Sequence, residues 1–410
     1  MSTSQLQAVH TPLRRYAFIP PRFGEEVVGG AETLIANLAS KLHARGNHVD
    51  IFTTCARDNR TWANEYKQGK STAYGLPVER FSVDERDLES WIPKQIAISE
   101  GMALSVDDQL EWMAHSVNSQ ALYAHLAAER DNYDAFFFGP YLFGTTFWGS
   151  LISPEKSYLI PCLHDEYYAY TDVVRSMFRQ VAGCIFNASP EMDLARALVG
   201  NVQGGEVGMG FEPLPQNEVD ALTPYFEESF PYLVYVGRKE TGKNAHLLID
   251  FFIEAKENKQ VPDDARLVIL GGGDFADLHR PQALERGDVL DVGHVSERDK
   301  RRVIKHATAL AQPSQNESFS IVLMEAWLLG TPVLVHAHCP VTRYHAIESG
   351  GGLYFAEQDD FNGVARELFS NQELCDKLAQ AGREYVTSYY DWDAVLDRFD
   401  TVMDSLLDEQ

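Results

Sequence analysis

The sequence is short of basic residues: 35 Lys and Arg stand against 60 Asp and Glu, a formal net charge of −25 at pH 7. With no excess of cations to neutralise phosphates, nucleic acid is excluded as a partner, and so is simple electrostatic adhesion to an anionic membrane. Cysteine is equally sparse. The five present, Cys55, Cys162, Cys184, Cys339 and Cys375, show no CxxC or metal spacing, which excludes a disulfide framework and a zinc site and leaves buried free thiols in a reducing cytoplasm. Long apolar runs are missing too. The one stretch long enough to span a bilayer, Tyr133–Ile152, is broken by Asp134, Pro140 and three glycines, and reads as a short strand, AFFF, followed by a helix. The first fifteen residues are polar, so no secretory h-region is expected, and residues 1–13 read as a disordered leader. Patterns for a P-loop, an HExxH zinc helix and a hydrolase elbow are absent, and no DxD metal motif is evident in a suitable loop. Neither a metal nor a cofactor is expected.

What is present is an alternation of apolar strands with amphipathic helices over 410 residues, too long for one ordinary core. RYAFIP, a helix carrying Leu34, Ile35, Leu38 and Leu42, and HVDIFTT form a βαβ unit. AFFF, SYLIPCLHDE and GCIFNAS continue the strands, and a helix is expected from about Val106 to Arg130, with the reading poorest over residues 55–118. The Gly-, Pro- and acid-rich stretch from Gly204 to Pro231 reads as an interdomain linker. Beyond it, YLVYVGR, RLVILGGGD, VLDVGHV, ALAQPS, VLV and GLYF are further strands, with helices from Asn362 onward. Nearly continuous apolar strands predict an α/β protein of two Rossmann-like parallel-sheet domains.

Ligands in such folds bind beyond the carboxyl ends of the strands, and the chemistry-bearing residues gather there in the sequence. Arg238 and Lys243 follow one strand in VGRKETGKN, two cations placed to hold a diphosphate, although two solvated surface cations would look the same. Glu317 and Glu325 lie in QPSQNESFSIVLMEAWLLGTPVLV, read as loop, helix and parallel strand with both acids at the helix start. They suit sugar hydroxyls beside free helical N–H groups, and suit equally a helix dipole that merely favours acids. His164, Asp165 and Glu166 end another strand, and Gly29 and Gly30 open the first helix where bare N–H groups favour an anion. The segment Gly271–Ala276, GGGDFA, has the outline of a dinucleotide fingerprint, with Asp288 and Asp291 at ribose distance. It follows the second strand of its domain rather than the first, and Pro281 interrupts the helix it requires, so a nicotinamide site is not expected.

Taken together these segments resemble the retaining glycosyltransferases of family four, enzymes of the two-domain GT-B fold. The E-x7-E signature is Glu317 to Glu325, the Arg-Lys pair is in VGRKETGKN, GGAE opens the first helix, and GHVSERD, GGLYF and YDWDAV follow in the family's order. The resemblance implies an N-terminal acceptor domain over 14–210, completed by a C-terminal helix at 393–410, and a nucleotide-sugar donor domain over 211–392. It implies that Arg238 and Lys243 grip the donor diphosphate, that Glu317 binds the transferred sugar and that Glu325 binds the ribose. Backbone N–H groups of Phe319, Ser320 and Ile321 would meet phosphate and sugar, with Gly29 and Gly30 approaching from the other domain. His164 matches the family's first-domain histidine, and His294 and Val295 match the base pocket. The chain departs from the pattern at Ser320, where the family has glycine, and at Val341–Ile347, VTRYHAI, where its usual acid is missing.

The implied reaction moves a sugar from a nucleoside-diphosphate sugar, UDP-sugar favoured, to a glycan or lipid-linked glycan acceptor in polysaccharide biosynthesis. It would retain the anomeric configuration by a front-face route without a metal. A sugar-nucleotide epimerase of the same fold and a catalytically silent binding protein are the alternatives. The expected location is cytoplasmic, peripheral to a membrane only through its acceptor and without a transmembrane segment.

Overall fold

A computed structural model describes residues 13–27 and 29–408. The expected leader falls, Leu13 apart, outside the described residues. The chain divides into two compact units: the first takes residues up to 187, 192–209 and those from 395 onward, the second 188–191 and 210–394.

The first unit holds an eight-stranded sheet. Its strands are β1 (Arg15–Ile19), β2 (His48–Thr54), β3 (Gly69–Ala73), β4 (Leu76–Phe81), β5 (Ala135–Phe138), β6 (Ser157–Leu159), β7 (Gly183–Phe186) and β8 (Gly204–Glu206). They lie in the order β3-β4-β2-β1-β5-β6-β7-β8, and all neighbours are parallel except β3 and β4. AFFF and GCIF are buried along their whole length, as strands covered on both faces must be. Phe136, Phe138, Trp112, Leu126 and Met177 belong to the core cluster on this sheet.

The second unit holds a six-stranded parallel sheet. Its strands are β9 (Tyr232–Val236), β10 (Arg266–Leu270), β11 (Val289–Gly293), β12 (Ala309–Gln312), β13 (Val333–His336) and β14 (Gly352–Phe355), in the order β11-β10-β9-β12-β13-β14. The order runs outward in both directions from β9 and β12, so the chain leaves these two neighbours toward opposite edges. Their carboxyl ends therefore flank a crevice at the topological switch point.

Three segments differ from the sequence reading. Residues 55–118 contain a hairpin, β3 and β4, and a helix over Leu88–Ser99. The hairpin turn is Tyr74-Gly75 with φ of 54° and 75°, a left-handed pair that Asn-Gly would have announced and tyrosine does not. The helix expected from Val106 to Arg130 is two, Val106–Ala114 and Gln120–Glu129. The break follows from Asn118, whose Nδ2 donates to the carbonyls of Met113, Ala114 and Ser116, and from Ser119, whose hydroxyl caps the next helix at Leu122 N–H. Gly204–Glu206, assigned to a linker, is strand β8, paired in parallel with β7. A short helix, Gln216–Asp220, also interrupts that stretch. As expected, Tyr133–Ile152 resolves into β5 and the helix Gly144–Ser150, and all five cysteines are buried. No helix among the described residues is long and apolar enough to cross a membrane.

Candidate active site

In the second unit, Gly237–Lys243 leaves β9 and Pro313–Ser320 leaves β12, so the switch point brings Arg238, Lys243 and Glu317 into the same crevice. Lys243 Nζ lies 2.8 Å from Glu317 Oε1 and donates to the Asn316 carbonyl at 3.3 Å. An ammonium has three donors, so the pair leaves one N–H for an incoming oxygen. Glu317 is not on the helix, which begins at Ile321 and ends at Leu328; only Glu325 is. The two acids therefore do not share the helix start, and Glu317 is the less exposed, at 14% against 27%.

The loop carrying Glu317 is pinned at several points. Asn244, itself at φ 53°, donates through Nδ2 to the Pro313 carbonyl, and Ser314 bridges to Asn316. Phe319 is wedged against the rings of Tyr390, His345 and Phe211, at centroid distances of 5.1, 5.3 and 6.1 Å. Burial pushes the His345 imidazole down to about 3, so it serves as a neutral ring with Nδ1 3.0 Å from the Tyr385 hydroxyl. Trp327 anchors the helix by donating Nε1–H to the Gly351 carbonyl at 2.8 Å.

Ser320 caps that helix with φ 71° and ψ 75°, left-handed backbone that glycine adopts without strain. Its hydroxyl is buried and finds no hydrogen-bond partner among the described residues. Here Ser320→Gly relieves about 1–3 kcal/mol of backbone strain against roughly 1 kcal/mol of added freedom in the unfolded chain. The variant is expected to unfold at higher denaturant concentration than the wild type. An unchanged or lower midpoint would mean that the serine is not strained.

The remaining cations have separate partners. Arg238 is 62% exposed and paired with Glu240 at 3.0 Å. Lys239, to which the sequence drew no attention, is buried and holds both oxygens of Asp291 at 2.8 and 2.9 Å, tying the β9 loop to β11. Glu325 is held by Lys300 at 2.9 Å.

The three glycines of GGGDFA have a packing explanation. A Cβ on Gly271 would stand 2.0 Å from the Gly237 carbonyl oxygen, one on Gly272 2.6 Å from His294 Nε2, and one on Gly273 2.8 Å from the Lys239 carbonyl oxygen. No α-helix follows them, only a 3-10 turn at Pro281–Arg286. Both aspartates suggested for a ribose are engaged, Asp288 with Arg286 and Asp291 with Lys239. His294 and Val295 lie between β11 and the helix Glu297–Lys305, with His294 over Gly272.

In the first unit, His164 sits in the loop beyond β6, which ends at Leu159, rather than on the strand. Its Nδ1 is 3.7 Å from Glu166 Oε1, and Glu166 accepts from the buried Tyr141 hydroxyl at 2.8 Å. Tyr170 donates to Asp165 at 2.6 Å. Gly29 caps the helix Gly30–Ala44 in extended backbone with no side-chain cap. A Cβ on Gly29 would stand 2.0 Å from Glu32 Oε2, and Glu32 is paired with the buried Arg22. The chain's own carboxylate thus lies over a helix start that was expected to be bare for an anion. Gly30 has nothing within 4 Å of its missing Cβ. Among the described residues, no group of three or more His, Cys, Asp or Glu side chains converges as a metal site.

Residues 224–385 match the family of glycosyl transferases group 1. The D-inositol 3-phosphate glycosyltransferase of Corynebacterium urealyticum is 23% identical over 391 residues, covering 86% of this chain and 82% of that protein. The glycogen synthase of Mycobacterium tuberculosis is 28% identical over 168 residues, 40% of each chain. Sucrose-phosphate synthase from Thermosynechococcus elongatus superposes with a TM-score of 0.69 at 18% identity, covering 97% of this chain and 100% of that one. HepE of Anabaena, solved in complex with UDP, superposes at 0.67 and 16% identity, with coverages of 95% and 100%. Two parallel-sheet α/β units and the likeness to these structures show the GT-B fold, and residues 224–385 of the second unit are similar to the glycosyl transferases of group 1.

Proposed function

We propose that this protein is a family-four enzyme of the E-x7-E type that transfers a glycosyl residue from a nucleoside-diphosphate sugar, UDP-sugar favoured, to a glycan or lipid-linked glycan acceptor, with retention. The observation that carries the reading is the Lys243–Glu317 pair at the switch point, next to the N-terminus of the helix Ile321–Leu328. A cation, free backbone N–H groups and a carboxylate within one crevice are what a sugar diphosphate needs: positive charge for the phosphates and an acceptor for sugar hydroxyls. The UDP complex of the similarly folded HepE supports UDP as the nucleotide.

In the reaction, negative charge develops on the departing diphosphate. Lys243, Arg238 and the N–H groups of Phe319, Ser320 and Ile321 would stabilise it. Glu317 would fix the sugar by its hydroxyls, and Glu325 the ribose. In the first unit His164, whose Nδ1 is 3.7 Å from Glu166 Oε1, is the proposed catalytic histidine. The acceptor hydroxyl would pass its proton to the leaving phosphate on the same face, which accounts for retention without a carboxylate nucleophile.

Thermal denaturation against UDP-, GDP- and ADP-sugars tests the donor, since a ligand bound only by the folded state raises the apparent midpoint by mass action. A UDP-sugar is expected to give the largest shift, and NMR of the product to show the donor's own anomeric configuration. Inversion would remove the retaining mechanism, and no response to any nucleotide sugar would remove the donor site.

A further inference from the structure

Lys300 has no part in the reaction as described, yet its surroundings are built around one of the donor residues. It lies on the helix Glu297–Lys305, which starts two residues after Val295 and is capped by Ser296 accepting from Asp299 N–H. Its Nζ is 2.9 Å from Glu325 Oε1 and 2.9 Å from Glu297 Oε2. Burial works against the ammonium charge, but the carboxylates of Glu325 and Glu297 outweigh it and hold the lysine protonated. Glu325 is used unevenly. Oε1 is held by Lys300, whereas Oε2 is buried with no partner among the described residues.

A carboxylate oxygen withdrawn from water without a donor costs stability that the fold does not recover. A plain tie between two helices would engage either oxygen and leave the other in solvent. Here the arrangement fixes the plane of the carboxylate and reserves one oxygen with both lone pairs free. A pair of vicinal hydroxyls presents the matching donors.

We infer that Lys300 is a positioning residue: it holds Glu325 oriented so that the unpartnered oxygen reads the ribose hydroxyls of the donor. This rests on the donor reading above and adds a residue to it. The same short element that follows His294 and Val295 then sets the ribose reader, so the base and ribose contacts share one support. Lys300 itself touches no substrate.

The test is discrimination between ribose and deoxyribose. Titration calorimetry would measure UDP against 2′-deoxy-UDP, with GDP against 2′-deoxy-GDP as the second pair, on the full chain as wild type, Lys300→Met and Lys300→Arg. A hydrogen bond to a charged group predicts that wild type prefers the ribonucleotide roughly tenfold or more. Lys300→Met is expected to lose most of that ratio by weakening the ribonucleotide alone, and Lys300→Arg to keep it. A merely structural lysine would weaken both nucleotides of a pair alike and leave the ratio intact, and that result overturns the proposal. Should Lys300→Met fail to fold, a ratio kept in Lys300→Gln overturns it and a ratio lost supports it. Equal binding of both sugars by the wild type would remove the ribose role of Glu325 and this proposal with it. Absence of binding by any nucleoside diphosphate would instead remove the donor reading.

Discussion

Lys243→Ala is expected to lower kcat on a nucleotide sugar by roughly a hundredfold or more, since one preorganised donor to a developing anion is worth about 3 kcal/mol. The lysine does two things at once. Its third N–H is not taken by Glu317 or Asn316, and its bond to Glu317 at 2.8 Å pairs that carboxylate beside the proposed place of the diphosphate. Deleting the side chain therefore removes attraction for the phosphates and leaves Glu317, which is only 14% exposed, as an unpaired negative charge next to them. The double variant Lys243→Ala with Glu317→Gln separates these effects. It is expected to recover stability and nucleotide affinity while turnover stays low, because the repulsion is gone but the cation is still missing. Single-turnover rates at saturating donor make the comparison. Turnover within a factor of a few of wild type in the single variant would remove Lys243 from the reaction.

Gly271→Ala is expected to cost stability rather than a cofactor. Its φ of 124° lies where only glycine is unstrained, and the added Cβ would stand 2.0 Å from the Gly237 carbonyl oxygen. Backbone strain and the clash together come to roughly 3 kcal/mol or more. Gly237 precedes Arg238, so whatever moves to accommodate the methyl disturbs the cation loop, and the loss of activity should follow the loss of fold. Chemical denaturation monitored in the second unit would record a lower midpoint. Had GGGDFA been a dinucleotide cradle, the same substitution would abolish nicotinamide binding in a protein of near-normal stability, and that pattern would refute the packing explanation.

Much of the architecture was legible because parallel strands buried on both faces leave nearly continuous apolar runs, and YLVYV, RLVIL and VLVH coincide with β9, β10 and β13. The hairpin of β3 and β4 was not, because GKSTA is an exposed edge strand without alternation and its turn begins with tyrosine. Asn118 and Ser119 carried the break between two helices, but their apolar neighbours continued the helical period across it. Within the site, Arg238, Lys243, Glu317 and Glu325 stood out by residue type and place. Lys239 and Lys300 did not, since a lysine in a polar loop or helix looks the same whether solvated or buried against an acid.

By itself, then, the sequence determined the alternation of strands and helices and which charged residues end the strands, since both are local: periodicity and residue type are read within a few positions. Which charges meet was decided only by the tertiary structure. Lys243 and Glu317 are 74 positions apart and pair because the chain passes through β10 and β11 and returns to lay β12 beside β9. Local pattern says nothing of strand order. It likewise could not say that Glu317 would be the more shielded acid, that Glu32 would fold over its own helix start, or that Ser320 would be held in left-handed backbone. Each of these follows from packing between segments far apart in the chain.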